Sequence, residues 1–92
     1  MEKINLIADF TRPFTSTDGW DTRKYINVEA FSLNGYSRGV LKEIPYISSW
    51  DWTSETTQKI NKDMIDTFNF YKENDKEFVN YEINHTYIRK PQ

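Results

Sequence analysis

Tyr25-Ile26-Asn27-Val28-Glu29-Ala30-Phe31-Ser32-Leu33-Asn34-Gly35-Tyr36-Ser37-Arg38-Gly39-Val40-Leu41 is the stretch that decides the architecture of this chain. Ile26, Val28 and Ala30 alternate with polar neighbours, which is the period of a half-buried strand over Tyr25–Leu33. Asn34-Gly35 then breaks the pattern. That dipeptide is the strongest short hairpin signal, because a two-residue type I′ turn needs positive φ at both central positions. Closing the hairpin there pairs Leu33 with Tyr36, Phe31 with Arg38 and Val28 with Leu41. Val28, Ala30, Gly39 and Leu41 then share one face, so turn and hydrophobic pattern agree. Pro45 has no amide to donate to a ladder and is expected to end the second arm.

Working outward, Lys3–Phe10 alternates again, with Ile4, Leu6, Ala8 and Phe10 on one side and Asn5, Ile7 and Asp9 on the other. Thr11–Lys24 holds Pro13, Thr15-Ser16-Thr17 and Asp18-Gly19, which is turn chemistry, and at about fourteen residues it is longer than most connections. Downstream, Ile47–Trp52 reads as an irregular link containing Trp50-Asp51-Trp52. A helix follows. Thr53 or Ser54 suits the N-cap, Glu55 lies in the first turn, and Thr57, Ile60, Met64, Thr67, Phe68 and Tyr71 form one stripe at helical spacing. Asn74-Asp75 is the expected stop. Phe78–Arg89 alternates once more, with Val79, Tyr81, Ile83, His85 and Tyr87 placed on the apolar side of a final strand.

One striped helix cannot bury its apolar side alone. The economical arrangement is a two-layer α+β domain, one amphipathic helix packed on a largely antiparallel four-stranded sheet in the order β-β-β-α-β. The 92 residues form a single domain, 1–92, with one small core. Six Phe, six Tyr and three Trp let so short a chain bury a large apolar area per ordered residue.

The net charge is −2, and residues 1–50 carry six bases and six acids, so there is no basic excess to hold nucleic acid. Without cysteine the chain has no disulfide, thiolate metal ligand or thiol nucleophile. Its start lacks the apolar run of a signal peptide, and no stretch approaches the ~18 apolar residues of a membrane span. A cytoplasmic protein without metal or cofactor is the expectation.

Chemistry-bearing motifs are sparse. Gly19, Gly35 and Gly39 make no phosphate-cradling loop, and no Gly-x-Ser-x-Gly elbow is present. His85 is the single histidine and a candidate general base for a small hydrolase or nuclease, with no motif setting a partner beside it. Asp9, Asp18, Asp21, Glu29, Glu43 and Asp51 have no catalytic spacing and read as solvated charge. No catalytic residue is assigned.

The aromatics in connecting segments carry more. Trp20 lies in the long loop, Tyr46, Trp50 and Trp52 near the link, and Phe14 beside Pro13, with Arg12 and Arg23 close in sequence. Trp, Tyr and Arg are the types most enriched at interface hot spots. These residues are the candidate surface of a non-catalytic protein-binding module, an adaptor or an occluding inhibitor. The competing reading folds the same rings back as lids over the core. The lean on Ile, Asn, Lys and Tyr, with their AT-rich codons, is common among small phage and mobile-element proteins that block a host protein. The alternative is a single-stranded nucleic-acid binder stacking bases on Tyr25, Phe31 and Tyr36, with Lys24 and Arg38 joining Arg23 at phosphates. Half-exposed strands also permit a homodimer.

Overall fold

The computed structural model describes residues 1–15, 23–46 and 51–91. The strands are β1 (Glu2–Asp9), β2 (Phe14–Thr15), β3 (Lys24–Ser32), β4 (Ser37–Pro45) and β5 (Tyr81–Arg89), and the helix α1 spans Ser54–Asn74. The sheet therefore has five strands rather than four. β2 is only two residues long, too short for any periodicity to reveal, and it pairs Phe14 with Tyr25 and Thr15 with Lys24.

β3 is the hub of the sheet. Tyr25 pairs with Phe14 on one side and with Pro45 on the other, so β2 continues the line of β1 along one edge of β3 while β4 takes the opposite edge. β1 and β3 are antiparallel, as are β3 and β4, whereas β5 joins β1 in parallel. The spatial order is thus β4-β3-β1-β5, with β4 and β5 running the same way at opposite edges. The helix sets that direction. Its 21 residues span about 31 Å at about 1.5 Å per residue, enough to return the chain to the end at which β4 began.

The alternation in β1 and β3 predicts the core side correctly. Ile4, Leu6, Ala8, Phe10, Ile26, Val28 and Ala30 are all buried. The helix stripe meets them through Ile60, Met64 and Phe68, with Tyr71 packed at the margin. Thr53 is the N-cap, its hydroxyl accepting from the Thr56 amide, and Asp75 closes the C-terminus by donating to the Tyr71 carbonyl. Two groups of rings seal the ends of the core. At one end Phe78 lies among Phe68, Tyr71 and Tyr81, with ring centroids 5.5–6.3 Å apart. At the other end Phe10 meets Trp52 edge to face at 4.8 Å.

Register is where the sequence expectation fails. The hairpin does not close on two residues: the Ser32 amide donates to the Tyr36 carbonyl and the Gly35 amide donates to the Ser32 carbonyl. Leu33, Asn34 and Gly35 form a three-residue loop with Gly35 at φ +91, the alternative in which a type I turn is followed by a left-handed glycine. Phe31 consequently pairs with Ser37, not Arg38. Two bulges follow in β4, setting Arg38 and Gly39 against Ala30, and Leu41 and Lys42 against Val28. The face shared by Val28, Ala30, Gly39 and Leu41 survives, because each bulge absorbs one extra residue.

β5 carries a third bulge. Ile4 pairs with Ile83 but Asn5 pairs with His85, so Asn84 and His85 together oppose Asn5. The extra residue inverts the alternation halfway along the strand. Tyr81, Ile83 and Ile88 pack against the core, and Thr86 turns to the helix, where its hydroxyl donates to the Asn61 side-chain oxygen at 2.8 Å. His85 and Tyr87 therefore leave the apolar side on which simple alternation places them. Val79 precedes the strand and is 48% exposed.

Candidate functional site

The helix covers one face of the sheet, and among the described residues no second layer covers the other. That open face is built from the odd-numbered residues of β1 and β3 and from the part of β5 beyond its bulge. Cross-strand pairing places Asn5 beside Phe31, Ile7 beside Glu29, and His85, Tyr87 and Arg89 beside Asn5, Ile7 and Asp9. The face encloses a groove of about 450 Å³. Ile7 and Phe31 form its apolar floor between the amides of Asn5 and Asn27. Leu33 and Gly35 of the hairpin loop bound one end, and Asp9, Arg12 and Arg89 bound the other.

Local contacts hold these side chains in place. The Asn84 amide donates to Asn5 Oδ1 at 3.1 Å, tying the bulge to the groove floor. Ser37 donates its hydroxyl to Glu29. Asp9 accepts from the Thr11 amide at 2.9 Å and lies 3.7 Å from the Arg89 guanidinium. Lys3 and Glu82 pair at 3.8 Å on the same face. Among the described residues the groove lining carries two bases, Arg12 and Arg89, and two acids, Asp9 and Glu29, so its formal charges balance. The apolar content of this side is high for an uncovered sheet face: besides Ile7 and Phe31, Val40 is 50% exposed, Tyr87 48% and Leu33 56%.

The aromatic residues singled out as a gripping surface separate. Trp52 and Tyr46 pack against the core as lids. Phe14 is half-buried, its ring 6.5 Å from that of Tyr25, and Arg23 lies over the Tyr25 ring at 5.9 Å from its centroid. Arg12 is exposed at the groove rim. Trp20 and Trp50 lie outside the described residues.

The nucleic-acid set divides as well. Tyr25 and Phe31 share the open face, but Tyr36 sits across from Ser32 beyond the core and is 69% exposed. Lys24 projects from the opposite side of β3. Arg38 is held by Glu2 at 2.8 Å, and that hydrogen bond raises the guanidinium pKa further above its ordinary value. The expected neighbourhood of Phe31 and Arg38 is therefore absent, because it depended on a two-residue turn.

His85 is exposed, with its ring 5.9 Å from that of Tyr87. No group of three or more His, Asp or Glu residues able to hold a metal ion occurs among the described residues. No described helix is long and apolar enough to cross a membrane. No family model, curated protein or solved structure matches this chain.

Sequence reasoning missed the groove. Alternation assigned Asn5, Ile7 and Asp9 to the side away from the core, but only the layer count reveals that no described element covers this side. Ile7 and Phe31, apolar residues at outward positions, were the available signal.

Proposed function

We propose that this protein is a non-catalytic protein-binding module that seats a segment of its partner in the groove on the open face of the sheet, acting by occlusion or as an adaptor. The observation that carries this reading is a sheet face that no second layer covers among the described residues, apolar on its floor, with Arg12 and Arg89 balanced by Asp9 and Glu29 in its lining. Apolar surface left in water is stabilised by a partner that covers it, at about 25 cal/mol per Å². A balanced rim supports a protein partner over a polyphosphate, whose binding rests on released counterions and therefore on excess positive charge. The interface accordingly moves from the aromatic loops, where Tyr46 and Trp52 pack against the core, to the sheet.

The test is affinity capture from the native host's lysate with the wild-type chain, a groove variant (Leu33→Asp with Phe31→Ala) and a control altered on the helix (Phe70→Ser). A protein retained by wild type and control but lost from the groove variant supports the reading, provided thermal melts show all three folded. Equal capture by all three overturns it. Tyr25 and Phe31 on one face give single-stranded nucleic acid a second claim. Fluorescence anisotropy with short oligonucleotides at low salt decides that claim, since low salt favours any phosphate contact.

A further inference from the structure

The two outer edges of the sheet are built differently. β4 is defended: it carries two bulges, Gly39 at φ +116, Lys42 and a terminal proline, all of which discourage another strand from pairing there. β5 has its single bulge at Asn84 and then runs regularly through His85-Thr86-Tyr87-Ile88-Arg89, with neither Gly nor Pro. Among the described residues nothing pairs with its outer side. The carbonyl of Arg89 accepts from the Phe10 amide, so Arg89 turns its backbone toward β1. Alternate residues Thr86 and Ile88 then turn theirs outward. An undefended run of this kind is a template for a further strand.

Charge selects the strand that fits. β5 has its acid, Glu82, near the start and its bases, Arg89 and the following Lys90, at the end. A second β5 laid antiparallel brings Glu82 of each copy toward the basic end of the other. A parallel copy in register would set like charge beside like. Antiparallel self-pairing is also what a two-fold axis generates, and the two-fold dimer is the commonest closed assembly. With Thr86 opposite Ile88 of the copy, Tyr87 lies across from its own equivalent on the open face. Aromatic cross-strand pairs stabilise a sheet at such positions.

We infer that the protein forms a two-fold dimer through antiparallel pairing of the outer edges of β5, centred on Tyr87, which joins the two sheets into one and sets the two grooves side by side. This interface is independent of what the groove holds.

The absence of cysteine makes the geometry directly testable. Single substitutions Tyr87→Cys and Val40→Cys are oxidised mildly and run without reductant. Tyr87→Cys should cross-link to a species of twice the 11.1 kDa chain mass, whereas Val40→Cys, on the defended edge, should remain a single chain. Sedimentation equilibrium of the unmodified chain should give the same doubled mass. Tyr87→Lys, which sets like charges face to face at an exposed position, should shift the chain to monomer with its circular dichroism unchanged. An unmodified chain that sediments as a monomer at every concentration, or equal cross-linking at positions 87 and 40, overturns the proposal. Thr86→Pro removes an outward amide of β5 at a residue on the helix side, away from the groove; groove-dependent capture that persists in a Thr86→Pro monomer separates this result from the reading of the groove.

Discussion

At φ +116, Gly39 holds a backbone conformation that L side chains rarely adopt, although a Cβ there would meet no atom within 4 Å. The constraint is conformational rather than steric. Gly39→Ala is therefore expected to lower stability by about 1–3 kcal/mol without disturbing neighbouring side chains, as read from the urea midpoint and an NMR spectrum. Thr57 behaves in the opposite sense. Its hydroxyl is buried in the helix–sheet interface and finds no hydrogen-bond partner among the described residues. Replacing it with the isosteric valine removes an unsatisfied polar atom, so Thr57→Val is expected to raise the thermal midpoint, by the equivalent of about 1 kcal/mol. A lowered midpoint would mean that the hydroxyl has a partner.

At the scale of the element, β5 depends on its bulge. Deleting one residue from a strand ordinarily moves every later side chain to the wrong face. Asn84 is different, since it and His85 oppose the same residue of β1. Removing Asn84 leaves Ile83 and Thr86 on the helix side and Tyr87 outside, at the cost of the bond to Asn5. The deletion is expected to unfold cooperatively with a modestly lowered midpoint. Deleting Thr86 instead drives Tyr87 toward the helix and turns Ile88 outward, so that variant should lose its cooperative transition. Melts of the two variants side by side check this; equal behaviour would contradict the assigned register. In α1, by contrast, the cap, stripe and stop all lie in local sequence.

The whole molecule is closed by its first and last strands. β1 and β5 pair along eight residues of β1, and the ring cluster at Phe78 and Tyr81 fills the space between that pair and the helix C-terminus. A chain truncated after Asn80 would expose one full edge of β1 and strip the partly buried Tyr81, Ile83 and Ile88 from the core margin. Such a chain is expected to show no cooperative unfolding and no dispersed amide spectrum, even though hairpin and helix remain in its sequence. Pairing between strands so distant in sequence also places folding in the slower range, about milliseconds to seconds, measurable by stopped-flow dilution from urea.

The residues by themselves determined which side of each early strand is buried and where the helix begins, faces and stops. Alternation and helical spacing are local consequences of backbone geometry, and Ile4 to Phe10, Ile26 to Ala30 and Ile60 to Phe68 carry them without interruption. Only the tertiary structure decided the three-residue hairpin loop, the bulges at Arg38, Leu41 and Asn84, the parallel seat of β5 beside β1, and the uncovered face where Ile7, Phe31 and Tyr87 meet. Each of these is a choice between pairings of nearly equal local energy, settled by which one lets the apolar side chains of distant segments reach the same core. A period-two pattern does not reveal where one extra residue inverts it, and the open face owes its composition to that inversion.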